Sequence, residues 1–338
     1  LLGSSSIEVW MTEEDQEVKV VFSGDIGNVD QPLIRDPEFI CDADYVLTES
    51  TYGDRVHDKP QDYAVALADV IRQTIQGGGN LVIPAFSVGR TQEMLYFIRR
   101  IKSEKIIPDL PDFDVYMDSP LALEATHIFS MNVSECFDTD AMEMVKNGIN
   151  PISFPGLRTA VSPEESKMIN FDKKPKVIIS ASGMCEAGRI RHHLKHNLWR
   201  SESTILFVGY QVPGTLGFNL LHGAKKVHIF GEEIEVNATI KNLPGISGHA
   251  DQPHLLDWIG HFKENPPKKV FVVHGQDEVT DNYAALVHDT YGFDATAPYS
   301  GDAWDLLTGE QIAAGSRERR EKISVFKHLS KGGKTSMQ

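Results

Sequence analysis

The chain has 338 residues, 41% of them hydrophobic, which is enough for two globular domains or for one large α/β domain carrying an insertion. Its 33 basic against 48 acidic residues give a net charge of −15, which argues against indiscriminate attraction to nucleic acid through phosphate neutralisation and leaves room for a local basic groove. The cysteines, Cys41, Cys136 and Cys185, form no CxxC, so neither a disulfide framework nor a thiolate zinc site is indicated and a reducing cytoplasm is expected; no apolar run approaches the roughly 20 residues that span a bilayer.

The opening LLGSSSIEVW reads as the middle of a strand-and-turn unit, so the chain is expected to lack its natural beginning. Strands are then predicted at EVKVVFSG (17–24), DYVLTEST (44–51), NLVIPA (80–85), DVYMDS (114–119), KVIISAS (176–182), STILFVGY (203–210) and KVFVVHG (269–275). They are short, rich in Val and Ile, and apolar nearly throughout, the pattern of strands covered on both faces. Between them lie amphipathic segments. In QDYAVALADVIRQTIQGGG, Ala64, Leu67, Ala68, Ile71 and Ile75 recur at helical spacing and the glycines from Gly77 supply a stop. Helices are likewise predicted over 91–104 and 187–199, and after SGHAD, with Asp251 as N-cap. Strand, helix, strand order implies mainly parallel sheets, with ligands at the loops beyond the carboxyl ends of the strands.

The unusual loops sit at such ends: FSGDIGN, TESTYGD, FSVGR, DSPLA, SASGMCEAGR, GYQVPGTLG and finally VVHGQD, with SGHAD ahead of its helix. Asp25 in SGDIG can be a turn residue accepting backbone N–H groups. Glu49 closes an apolar strand, and a carboxylate buried there needs a partner. His249 in SGHAD and His274 in VVHG offer one. Singly, such histidines are more often packing residues than ligands; with Asp25 and Glu49 they make a set suited to phosphoryl transfer. Imidazole and carboxylate suit zinc, two ions about 3.5–4 Å apart can clamp a phosphodiester, and a further histidine can protonate the departing alkoxide.

Taken in order, SGDIG, TESTYGDR, SASGMCEAGR, GYQVPGTLG, SGHAD and VVHG resemble the metallo-β-lactamase-fold nucleases of the β-CASP group. The resemblance runs from Leu1 to about Ala303. It implies a partial metallo-β-lactamase αββα fold, residues 1–54 and 246–303, with a β-CASP parallel-sheet α/β domain inserted at 55–245 and a C-terminal tail at 304–338. The family's HxHxDH motif would fall before Leu1. By resemblance, Asp25 bridges two zinc ions and takes part in catalysis, His274 is a terminal ligand, His249 donates a proton to the leaving oxygen, and Glu49 orients it. With Asp25 and His274 as its only ligands, this stretch is expected to hold at most one ion weakly. A histidine at the position of His274 marks the RNA-directed branch.

Ser247 and Gly248 are expected to hold a substrate phosphate, and Arg90, Ser182, Gly183 and Arg189 to contact RNA from cleft-facing loops of the cap. In the run Arg191, His192, His193, Lys195, His196, the distal residues read as a solvated helix face. The basic tail from Gly315 is either an RNA-holding arm or a solubilising end. The leading reading is a zinc-dependent ribonuclease acting on single-stranded RNA, with no membrane partner and with a homodimer admitted but argued for by no residue. The alternatives are a DNA-directed nuclease or other metallohydrolase of the same fold, and a non-catalytic RNA-binding paralogue.

Overall fold

The computed structural model describes residues 2–13, 15–57, 62–110, 112–243, 245 and 247–317. The first third forms β1 (Ile7–Glu13), β2 (Gln16–Phe22), β3 (Tyr45–Glu49), α1 (Tyr63–Gln76), β4 (Leu81–Pro84), α2 (Arg90–Ser103) and β5 (Val115–Met117). Next come α3 (Pro120–Met131), α4 (Val133–Cys136), α5 (Thr139–Lys146), β6 (Leu157–Thr159), α6 (Pro163–Phe171), β7 (Val177–Ser180), α7 (Ile190–Asn197), β8 (Thr204–Phe207) and α8 (Leu216–Leu221). The chain then adds β9 (Lys226–Ile229), β10 (Glu232–Glu235), β11 (Thr239–Asn242), α9 (Gln252–Gly260), β12 (Lys269–Val273), α10 (Asp277–Tyr291), β13 (Ala295–Thr296), β14 (Ala303–Trp304) and β15 (Gln311–Ala313).

These strands build two large sheets. One has the order β1-β2-β3-β12-β13 and the other β11-β8-β4-β7-β5-β6. Within them every pairing is parallel except that of β1 with β2. The first sheet draws its strands from both ends of the described chain and the second from the middle.

The double burial expected of the Val/Ile runs is present, and alternation decides which residue faces which layer. In the six-stranded sheet Leu81, Ile83, Val177 and Ile179 pack with α1 and α2, while Val82, Ile178, Ile205 and Phe207 point the other way onto α7 and α8. In the five-stranded sheet Val21, Val46, Val270 and Val272 face Leu255 and Trp258 of α9 and Tyr283 and Val287 of α10. Its opposite face carries Val18, Val20, Tyr45 and Phe271, against which Trp304, Leu306 and Leu307 lie. Each such aliphatic side chain taken fully from water contributes about 1.5–3 kcal/mol.

The stretch 303–313 is therefore a structured hairpin covering the sheet, where the sequence suggested a tail; the rest of that tail, from residue 318, lies outside the described residues. The stop after α1 forms as expected: Gly78 adopts φ +80°, and a Cβ on Gly79 would sit 1.8 Å from the Glu202 carbonyl oxygen. No helix among the described residues is long and apolar enough to cross a membrane.

Candidate functional site

Three neighbouring parallel strands end side by side. Register pairs Val273 with Glu49 across β12 and β3, and Phe22 with Leu47 across β2 and β3. The chain leaving β2 thus presents Asp25, the last residue of β3 is Glu49, and the residue after β12 is His274. His249 comes from the loop before α9, whose start is fixed by the Asp251 side chain accepting the His254 N–H. Asp251 also accepts the His57 N–H at 2.9 Å and bridges to Tyr52, tying the SGHAD loop to the TESTYGDR turn.

One oxygen or nitrogen from each of Asp25, His249 and His274 lies within 4.8 Å of the others. His274 Nδ1 is 3.5 Å from an Asp25 oxygen, and the two imidazole rings are 5.8 Å apart between centroids. Asp25 and His274 are the two ligands expected from the sequence, and the structure sets His249 beside them in one cluster. A carboxylate oxygen and an imidazole nitrogen both serve in zinc sites and, supplied by Asp25 and His274, leave further coordination positions open, so the residues present fit a metal of that class.

Glu49 is 1% exposed and fully engaged. Its carboxylate accepts the Ile26 N–H and the Thr51 hydroxyl and faces His249 Nδ1 at 3.0 Å, while its own N–H donates to Ser23 Oγ. The hydrogen bond to Glu49 holds His249 above the ordinary imidazole value against the opposing effect of burial, with the Glu49 and Asp25 charges adding to the rise. With Nδ1 committed to Glu49, Nε2 is the nitrogen left for a substrate oxygen or an ion.

Thr51 carried no role in the sequence reading. Its Oγ donates to Glu49 at 2.5 Å and lies 3.4 Å from His274 Nδ1, so one hydroxyl joins the acid and the ligand. The only hint in the sequence was its place two residues after Glu49. His274 itself adopts φ +52°, a left-handed conformation costly for a residue with a Cβ, and such strain persists where surroundings hold it for a purpose. Here Ser50 Oγ donates to the Val273 carbonyl and the following Gly275 admits Ser50 within 2.5 Å of where a Cβ would be. Near the chain start, Ser4 Oγ donates to the Asp25 carbonyl and Ser6 Oγ to that of Ser23, bracing the Asp25 loop. A cavity of about 470 Å³ opens beside Asp25, walled by Ser5, Asn28 and Gly248 and, from the cap, by Glu93, Phe129 and Cys136.

The remaining predicted residues distribute unevenly. Ser247 Oγ accepts the His249 N–H at 3.1 Å, and Gly248 lines the cavity. Arg90 and Arg189, expected on cleft-facing loops, engage partners within the cap. Arg90 is the first residue of α2, buried, and ion-paired with Glu93 one turn on. Arg189 caps α7 and spends its guanidinium on Asp118 at 2.7 Å and on the carbonyls of Ala160 and Val161. Both charges are neutralised inside the cap, because a buried guanidinium without a counter-charge is costly. Ser182 Oγ accepts the Ala187 N–H, closing its own loop, and Gly183 is buried under the Phe86 ring.

From the basic run, His193 is wholly buried and bonds Asp118, Lys195 pairs with Glu232, and Arg191 lies over the Phe230 ring. Bonds from His193, Arg189 and Ser166 therefore converge on the Asp118 carboxylate. Arg317 stacks over Tyr299; the later basic residues of the tail lie outside the described residues.

Residues 91–220 match the Beta-Casp domain and residues 233–298 match the Zn-dependent metallo-hydrolase RNA specificity domain. The chain is 36% identical over 259 residues to ribonuclease TTHA0252 of Thermus thermophilus, covering 77% of this chain and 58% of that protein. It is 32% identical over 305 residues to an RNase J-like protein of Methanocaldococcus jannaschii, covering 89% and 68%. To the transcription termination factor FttA of Methanosarcina mazei it is 30% identical over 279 residues, covering 80% and 43%. The chain thus spans about two fifths to two thirds of the length of these relatives.

Proposed function

Because the chain belongs to the β-CASP family of metallo-β-lactamase-fold proteins, we propose that it hydrolyses phosphodiester bonds in single-stranded RNA at the cluster formed by Asp25, Glu49, His249 and His274. The observation that carries this reading is the convergence of those four side chains at the ends of three adjacent strands and one helix-preceding loop. RNA, rather than DNA, is supported by the description of the domain matched at 233–298 and by relatives named as ribonucleases. The division of the chain at 54 and 245 belongs to the same proposal and is supported by the membership of the two sheets.

In this reading Asp25 and His274 hold zinc, two ions in the whole protein. When bound, zinc supplies Lewis-acid stabilisation of the phosphate and a hydroxide at neutral pH. The chain's own side chains do the rest. Glu49, kept in place by the Ile26 N–H and Thr51 O–H, fixes the His249 ring by its Nδ1. His249, held above the usual imidazole value, delivers a proton from Nε2 to the departing oxygen. Ser247 and Gly248 steady the phosphate beside it.

Two substitutions test the assignment. His274→Ala is expected to lose metal and cleavage together. His249→Ala is expected to keep RNA binding and to cleave about 10²–10⁴ times more slowly, the worth of a positioned general acid. A substrate with sulfur at the bridging position has a leaving group that needs little protonation, so it recovers much of the rate lost in His249→Ala and none of that lost in His274→Ala. Failure of that rescue, or efficient cutting of DNA with none of RNA, sinks the reading.

A further inference from the structure

The cap presents an aromatic rim that neither the core nor the proposed chemistry uses. Phe86, in the turn after β4, is 44% exposed, and Tyr210, just beyond β8, is 46% exposed. Leaving two rings partly in water forgoes burial energy. Phe86 is held rigidly. Its carbonyl accepts both the N–H and the hydroxyl of Thr91, and the next carbonyl, that of Ser87, accepts from Gln92 Nε2.

The ring lies on glycine backbone: a Cβ at Gly183 would come within 3.2 Å of the ring edge, and one at Gly209 within 3.9 Å. Bare glycine at the ends of β7 and β8 therefore makes a flat bed that supports part of the ring and leaves the rest to solvent. Gly209 leads directly into Tyr210. Arg55 stacks 5.5 Å over Tyr52, whose ring is 6.2 Å from His249, and Gly89, three residues beyond Phe86, lines the cavity that opens beside Asp25. The turn that carries Phe86 thus borders the cavity of the proposed site.

Electrostatics narrows what the rim takes. The chain carries a net charge of −15, Arg90 and Arg189 are neutralised within the cap, and Arg55 is paired with Asp54 at 2.7 Å. A polyanionic strand approaching this wall finds little cationic attraction there, and its affinity has to come from contacts that ignore phosphate charge. Stacking of bases on aromatic rings is such a contact and tolerates any sequence.

We propose that Phe86 and Tyr210 form a stacking platform for one unpaired nucleobase of the strand entering the cleft. This rests on the nucleic-acid reading above and specifies how the strand is gripped. The platform fixes one nucleotide at a set distance from the site and reads no base identity.

The test is fluorescence anisotropy with a labelled ten-nucleotide oligouridylate and its DNA counterpart, using the full chain with divalent ions chelated so that no strand is cut. A single abasic position is walked along each oligonucleotide. Phe86→Ala is expected to weaken binding about 5- to 140-fold, as loss of one base–aromatic stack does. The slope of log affinity against log salt is expected to stay unchanged, since no phosphate contact is removed. One abasic position weakens the parent comparably and weakens Phe86→Ala no further, while Phe86→Trp, which keeps a stacking face, binds like the parent.

Phe86→Ala binding within twofold of the parent overturns the platform, as does an abasic penalty equal in both proteins at every position. If only DNA shows the expected pattern, the RNA reading fails and the platform stands. If neither strand binds the parent, the platform falls with it.

Discussion

Thr51→Val removes one hydroxyl and almost no volume, and the site's geometry fixes what that costs. The hydroxyl donates to a carboxylate that is 1% exposed, so water does not replace it. A hydrogen bond to a charged group contributes about 1.5–3 kcal/mol. Glu49 keeps the Ile26 N–H and the contact with His249 but loses the donor that joins it to His274. If the loss falls on the transition state, kcat drops about 10- to 150-fold while KM changes little. Single-turnover cleavage of a labelled single-stranded RNA measures the rate, and metal analysis of the same preparation measures ligand integrity. Thr51→Ser keeps the hydroxyl and is expected to stay near the parent in both. A Thr51→Val protein as fast as the parent, or a Thr51→Ser protein as slow as Thr51→Val, refutes the reasoning: the first makes the hydroxyl idle and the second shows that the hydroxyl by itself does not sustain the rate.

Asp118→Asn leaves Arg189 and His193 without their carboxylate and is expected to cost about 3–5 kcal/mol at neutral pH, read as a lowered melting temperature. Burial alone would raise the Asp118 carboxyl, but bonds from His193, Ser166 and Arg189 hold it below its ordinary value of 3.8. A depressed folded value means the stabilisation is complete above 3.8 and fades as pH falls through the lower folded value, so the gap between variant and parent should close only in strong acid. Asp251→Ala removes the N-cap of α9 and the acceptor of the His57 N–H, and should lower stability by about 1–2 kcal/mol in a denaturant titration. Zinc at about 100 times its Kd should stabilise the parent by about 2.7 kcal/mol in a thermal scan, and His274→Ala should show no such gain.

The sequence exposed those parts of the fold that depend on local pattern. Val/Ile runs marked β2, β3, β4, β5, β7, β8 and β12 because burial on both faces requires apolar residues at every position. Strands such as EEIE of β10 or LRT of β6 escaped, being short, polar or at an edge. Asp25, Glu49, His249 and His274 were visible through their loops, yet that three strand ends deliver three of them side by side depends on register, which no short window contains. Thr51 was missed for the same reason: its contact with His274 spans 223 positions. Arg90 and Arg189 show the converse limit. Charge and a preceding glycine were legible, but the partner of Arg189 lies 71 positions away; Glu93, three residues from Arg90, was the one available warning.

The pairing of β3 with β12 has a temporal side. Ser50 and Val273, joined by a hydrogen bond at the mouth of the site, are 223 positions apart, and every strand of the six-stranded sheet is made in the interval. During synthesis, domains fold as units while later residues are still being added. The cap sheet is complete once Asn242 has emerged, whereas His249 and His274 follow it out of the ribosome. Glu49 must therefore wait, without its imidazole partner, through the production and folding of an entire second sheet. Closing so large a loop onto a disordered intervening chain would cost entropy that grows with its length; closing it onto a folded cap brings the two strand ends near at little further cost. Assembly order thus completes the cluster of Asp25, Glu49, His249 and His274 last, beside a second sheet whose strands have all been made before it.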